Sequence, residues 1–459
     1  MDHDELRIWS KRAADWAHTY HKTLRSKPVR APLERGAVAR RLPASPPEAA
    51  EPMEAIFADF ERIVPDAMTH WQHPRFFAYF PANAAPASML AEQLANAIAA
   101  QAMLWQTAPA ATEIEEVMID WLRQAMGLPE GYRGTIHDTA TTATLAAVLT
   151  MREKALGWKG LEDGLAGQPR LRLYCSAETH SSVDKAARVA GIGQANLVKV
   201  PTDASHAMNV ARLQRLITED RASGYLPAGV ILCAGGTSIG AFDRLDECIA
   251  VARAEGVPVH VDAAWAGSAM ICPEHRAHFR GIEGADSIVF NPHKWLGAQF
   301  DCSVQFLRNP TEQIRTLGLR PAYLETAGAN EVVNFNEWTL PLGRRFRALK
   351  LWFLLRAHGL ADLRRRINNH IAWAEELCVE LRGVPGVEIV TPPSLSLFTF
   401  ALSDDAATER LLNRINDDGR VYLTQTRHRK RYVIRVQVGQ FDCTRDDVMT
   451  VATVVRELR

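Results

Sequence analysis

Between residues 88 and 310, short apolar runs alternate with helical patterns: "LRLYC" at 171, "NLVKV" at 196, "GVILCAG" at 229, "VPVHVDAA" at 257, "DSIVFN" at 286 and "CSVQFL" at 302. Runs this short and this continuously apolar are strands buried on both faces. The pattern therefore predicts an α/β fold, a mostly parallel sheet with helices on either side. Ligands of such sheets lie beyond the carboxyl ends of the strands. After a long helix near 344–358 the pattern changes to a helix (361–382), strands "VEIVT" and "SLFTFAL", a helix (406–416), the strand "RYVIRVQV" and a last helix. That order reads as a smaller α+β unit. At the other end, Leu6, Trp9, Ala13, Trp16 and Tyr20 recur at helical spacing, an amphipathic helix seeking a partner surface. A Pro- and Arg-rich connector and a second helix near 52–64 follow it. The expected organisation is an N-terminal helical segment (1–85), a large α/β domain (86–360) and a small C-terminal α+β domain (361–459).

Charge and cysteine usage exclude several classes. The 53 basic residues balance 53 acidic ones, which argues against a nucleic-acid binder, and "RHRKRY" at 427–432 reads as a solvated turn. The seven cysteines are scattered and never form a CxxC pair, so they provide no disulfide or zinc framework. His70 with His73, and His275 with His278, lack a third ligand, and no metal is expected. No stretch reaches the roughly 20 apolar residues of a membrane span, and the N-terminus lacks a signal-peptide core. The expectation is a cytoplasmic protein that uses neither a membrane nor nucleic acid.

The chemistry starts from "HVDAAWAG" and "FNPHKWLG", where two buried strands end in Asp262 and, just past the second, Lys294. Alone, the aspartate caps a turn and the lysine lies in a surface loop. Together, a carboxylate and an amine at neighbouring strand ends are what pyridoxal phosphate requires: the lysine holds its aldehyde as a Schiff base, and the aspartate keeps its ring nitrogen protonated. Its phosphate needs free N–H groups at a helix start, which "IHDTATTATLAAVL" at 136–149 offers. "SAETHSSVDKAA" at 176–187 likewise follows a strand, placing His180 where an imidazole can lie over the cofactor.

The motifs "FNPHKWLG", "HVDAAWAGSA", "THSSVDKA", "HPRFFAYFP" and "LPLGRRFRALKLW", five ordered motifs across nearly the whole chain, resemble those of the group II pyridoxal-phosphate-dependent amino-acid decarboxylases, in particular the aromatic-L-amino-acid decarboxylase branch. The resemblance implies the fold-type I, aspartate aminotransferase-like architecture and a homodimer with shared active sites. It makes Lys294 the Schiff-base lysine, Asp262 the ring-nitrogen partner and His180 the residue stacked on the cofactor. It puts Thr139, Ala140, Thr141, Ser287, Asn291 and His293 at cofactor-phosphate or cofactor-orienting positions, with Thr237 and Ala264 beside the ring. Tyr323 matches a loop tyrosine that serves as proton donor to the α-carbon, with His180 assisting; relatives that oxidatively deaminate their substrate to an aldehyde carry phenylalanine there.

The same resemblance makes Trp71, Tyr79, Phe80 and Pro81 an aromatic substrate wall, and Gln101 and Met103 residues given to the site by the partner chain. Gly343 matches a position where glycine goes with indole substrates and serine with phenolic ones. The implied substrate is an aromatic L-amino acid, tryptophan or hydroxytryptophan ahead of tyrosine or dihydroxyphenylalanine. Aldehyde synthesis on the same site and a non-catalytic scaffold are the rival outcomes. Asp138, Ala82, Met103, Trp265, Asn336 and Glu337 depart from the residues usual in that branch.

Overall fold

The computed structural model describes residues 1–319 and 332–459. Its main sheet consists of β1 (Arg133–His137), β2 (Leu171–Ser176), β3 (Leu197–Val200), β4 (Leu226–Cys233), β5 (Val259–Asp262), β6 (Ser287–Phe290) and β7 (Ser303–Leu307). The seven strands lie in the order β1-β7-β6-β5-β4-β2-β3. From β3 to β6 every pair is parallel, while β7 runs antiparallel to both β6 and β1. Each of the six apolar runs became a strand. The strand that periodicity missed, β1, is interrupted by Gly134, where a Cβ would come within 2.4 Å of the Gln305 carbonyl oxygen. A glycine that admits a neighbouring backbone looks like a loop in sequence. The helix Ala140–Ala155 packs across the sheet from β4 to β7.

A second, antiparallel sheet contains β8 (Glu388–Ser394), β9 (Leu397–Ala401), β10 (Thr424–His428) and β11 (Arg431–Gln437), in the order β10-β11-β9-β8. Its core includes Leu377, Leu381, Phe398, Phe400, Ile434 and Val451. The two helices expected at 344–358 and 361–382 run together as Ala348–Arg382, broken at Gly359, whose φ of 64° is left-handed. The basic run is the β10–β11 hairpin: Arg429 and Lys430 form its tip, Arg427 pairs with Asp405 and Arg431 with Glu388.

The N-terminal helix His3–Thr23 finds part of its partner surface within the chain, Trp9 lying on Phe57 and Trp16 on Phe60. Leu6 and Ile8 stay exposed. Further along, Phe77 enters the core of the second sheet, and its amide and carbonyl bond to the Tyr422 carbonyl and the Gln437 amide. This pairing carries the segment "FFAYFP" from the small sheet to the ends of the large one. Among the described residues, no helix is long and apolar enough to cross a membrane.

Candidate active site

The carboxyl ends of β4, β5 and β6 open into a cavity of about 220 Å³. It gathers Thr139, Ala140, Thr141, His180, Thr237, Asp262, Ala264, Asn291, His293 and Lys294 from five separate stretches of chain. A wider cleft of about 690 Å³, beside the helix Pro109–Met126, contains none of them. Asp262 ends β5, paired with β6 through Val289, and its Oδ1 accepts the Ala264 N–H at 3.0 Å, which fixes the carboxylate. Lys294 sits in a single wide turn, Pro292–Leu296, that follows β6. Burial pushes its amine down to about 8, with Arg435 adding to the shift and Asp262 opposing it. A lysine so lowered is a nucleophile near neutral pH.

Two imidazoles border the cavity, both kept neutral. Burial lowers His180 from its ordinary value, with Asp262 opposing and Lys294 adding. Its Nδ1 accepts the Ser182 N–H at 3.1 Å, so the proton of the neutral ring lies on Nε2. His293, pushed down to about 3 by burial, accepts the Cys302 N–H through Nδ1 at 3.0 Å. Its Nε2–H is therefore a donor too. At the start of the helix Ala140–Ala155 the Thr139 side chain makes no capping bond, which leaves first-turn N–H groups for an anion. The Thr139 N–H itself is taken by Asp138 Oδ1 at 2.6 Å. A helix start with unused donors, an amine of lowered pKa and a fixed carboxylate fit pyridoxal phosphate: the helix for its phosphate, Lys294 for its aldehyde and Asp262 for its ring nitrogen.

One expected cofactor residue lies elsewhere. Ser287 opens β6, and its hydroxyl meets His260 Nδ1 at 3.0 Å and accepts from Gln305 Nε2 at 3.0 Å. Strands rise about 3.3 Å per residue, so it is roughly 13 Å below Asn291, at the wrong end of the strand. Ser287 supports His260, itself on β5 two residues before Asp262, and does not line the cavity. Tyr323 lies outside the described residues.

The expected substrate residues form two groups. Phe80 is buried against the site, with Lys294 Nζ 5.3 Å from its ring centroid. Outward from it, Tyr79 and Trp71 are exposed and stack at 5.9 Å, while Pro81 is buried. Gln101, Met103 and Gly343 do not border this cavity. Gln101 and Gly343 are joined by Arg344, whose Nη2 bonds Glu115 Oε1 at 2.6 Å and whose N–H donates to Gln101 Oε1 at 2.7 Å, while the Met103 carbonyl accepts the Asn336 N–H at 3.1 Å. Arg344 and Glu115 are both buried, and breaking such a pair costs about 3–5 kcal/mol. A Cβ on Gly343 would meet Gln101 Nε2 at 2.9 Å, so the space over the glycine is already bounded by that amide.

Two residues escaped the sequence reading. Asn83, fully buried, donates from Nδ2 to the Lys294 carbonyl at 2.6 Å and the Gly439 carbonyl at 2.9 Å, and accepts the Phe441 N–H at 2.9 Å. It ties the lysine turn to the small domain. Arg435, on β11, is 3 % exposed and donates through Nη1 to the Ala78 carbonyl at 2.6 Å. Among the described residues, neither its Nε nor its Nη2 has a hydrogen-bond partner. Burial lowers it to about 10. The signal for Arg435 was an arginine in the middle of the apolar strand "RYVIRVQV"; a charge there is retained only for a partner.

Because only the free amine attacks an aldehyde, capture of pyridoxal phosphate by the apo-protein is expected to speed up with pH and level off above about 8. An unperturbed lysine at 10.5 would show no plateau there. Stopped-flow absorbance across that range measures it.

Residues 36–403 match the pyridoxal-dependent decarboxylase conserved domain. The chain is 36% identical over 455 residues to the aromatic-L-amino-acid decarboxylase of Rattus norvegicus, covering 95% of this chain and 94% of that one. It is 35% identical to the phenylacetaldehyde synthase of Arabidopsis thaliana, covering 96% and 92%. The crystal structure of Oryza sativa TDC with PLP and tryptamine superposes with a TM-score of 0.96 at 33% identity, covering 100% of this chain and 98% of that one. With its cavity built for that cofactor, the chain belongs to the pyridoxal-dependent decarboxylase family, a carboxy-lyase that works with pyridoxal 5′-phosphate.

Proposed function

We propose that the protein decarboxylates an aromatic L-amino acid to its arylalkylamine and carbon dioxide. The observation that carries this is the pairing of a buried guanidinium, Arg435, whose Nε and Nη2 have no hydrogen-bond partner among the described residues, with an otherwise aromatic approach. Arg435 takes the α-carboxylate with Nε and Nη2. Lys294, the one lysine or arginine among the described residues that line the cavity, is committed to the cofactor, and Arg435, against the Phe80 ring that Lys294 also faces, is committed to the α-carboxylate. A side-chain carboxylate would need a further cation, whereas an apolar ring needs none. Tryptophan and hydroxytryptophan are the first candidates, tyrosine and dihydroxyphenylalanine the next.

Bound pyridoxal phosphate supplies an electron sink for the pair released when the carboxylate leaves. The chain does the rest. Asp262 would hold the cofactor's ring nitrogen and keep it protonated, the neutral His180 would hold the ring, and His293 with Thr139, Ala140 and Thr141 would receive the phosphate. Tyr323 returns a proton to the α-carbon. The working unit is a cytoplasmic homodimer in which residues 1–85 pack on the partner and Gln101 and Met103 serve its site, with domains at 86–360 and 361–459.

A panel of the twenty amino acids and hydroxylated aromatics, assayed for amine, carbon dioxide, ammonia and peroxide, tests this. Equal amounts of amine and carbon dioxide from aromatic substrates are expected; a preference for glutamate, or stoichiometric ammonia and peroxide, would overturn it. Tyr323→Phe is expected to change the product, with aldehyde, ammonia and peroxide appearing where the wild type gives amine.

A further inference from the structure

Phe80 is 8 % exposed and stacks on Trp265 with ring centroids 4.7 Å apart and planes 17° from parallel. Trp265 is 1 % exposed and doubly fixed: its Nε1–H donates to the Gly235 carbonyl at 2.6 Å, and Trp295 lies 5.3 Å away. Gly235, at φ 87°, is needed for this, since a Cβ there would come within 2.9 Å of the indole nitrogen. Two cations face the Phe80 ring. Lys294 Nζ is 5.3 Å from its centroid and Arg435 Cζ 4.6 Å.

A guanidinium removed from water and given no carboxylate needs another electron-rich surface. Arg435 has one carbonyl, that of Ala78, and the face of Phe80. We propose that the Phe80–Trp265 stack is a positioning platform for Arg435: it holds the guanidinium, Nε and Nη2 free, where the α-carboxylate arrives. Phe80 then serves the substrate's carboxylate end and not its aromatic ring, which revises the role the resemblance implied. The indole beneath Phe80 gives its ring a large, electron-rich surface to stack on, which suits a platform for a cation. The inference rests on the reading of Arg435 as the carboxylate anchor.

The test compares an amino acid with its own amine, which lacks only the carboxylate. For the holoenzyme with tryptophan as substrate and tryptamine as inhibitor, Phe80→Leu is expected to raise KM for tryptophan about tenfold while the tryptamine inhibition constant moves less than about twofold. Phe80→Tyr, which keeps the ring face, restores KM. Trp265→Phe shifts KM in the same direction by a smaller factor and guards against a folding defect in the first variant. Arg435→Leu also raises KM, and Phe80→Leu adds nothing further to it, since the platform has lost its cation. Equal weakening of tryptophan and tryptamine by Phe80→Leu would place the ring against the substrate's aromatic group and overturn the proposal, as would no change in either. An Arg435→Leu enzyme with unaltered KM would remove the anchor and the platform together. Absence of amine from the wild type with every aromatic amino acid would instead defeat the proposed function itself.

Discussion

Lys294→Ala is expected to lower kcat by roughly 10⁴-fold and to abolish the borohydride-reducible link between protein and pyridoxal phosphate. Both losses follow from one amine. Its pKa of about 8 supplies a useful fraction of free base near neutrality, and no other described lysine is placed to replace it. Lys350 is also buried, but its Nζ is held by the Asp301 carbonyl at 2.7 Å and by Glu92 at 3.1 Å, away from the cavity. The variant should still bind cofactor without the covalent link, because the helix start at Thr139, His293 and Asp262 are untouched. Folding should not suffer either. A lysine whose folded-state pKa is depressed disfavours the folded state at every pH where the unfolded chain would be protonated, so its removal relieves that cost in the apo-protein. Retention of a reducible link on Lys294→Ala would assign the cofactor to a different amine.

How much of this site could be read from sequence depends on how each residue reaches it. Asp262 and Lys294 were legible because β5 and β6 are continuous apolar runs and each polar residue follows the run's end. Direction along the chain then equals depth in the site. Ser287 shows the limit of that logic: it flanks the same strand but at its opening, and only the parallel pairing of β5 with β6 shows which end faces the ligand. Asn83 and Arg435 could not be placed at all from periodicity. They come from a segment and a sheet remote in sequence, and they matter because Phe77 docks in the small sheet and brings both close to the lysine turn. Gln101 and Gly343 are joined through Arg344 of the buried Arg344–Glu115 pair, a contact with no local signature. The overall architecture was more legible than these junctions because each strand's burial is a local property, whereas a junction depends on two.

Asp262→Asn is expected to cut kcat by about a thousandfold while leaving the cofactor bound and lysine-linked. The amide matches the carboxylate in shape, and its oxygen can still accept the Ala264 N–H. What it would lose is the charge that, on the proposed role, would keep the cofactor's ring nitrogen protonated and so support its electron sink. The same charge reaches two neighbours. Asp262 raises the pKa of Lys294 against its burial, and that of His180 likewise. Removing it must lower both, so the plateau in cofactor capture should begin below the wild-type value of about 8. The two measurements separate an electrostatic role from a structural one. A misfolded pocket would lose cofactor and slow its capture at all pH values, whereas loss of one negative charge slows turnover and moves the capture profile toward acid. A variant with wild-type kcat would mean that some other group holds the ring nitrogen's proton, and among the described residues lining the cavity there is no second carboxylate to do so.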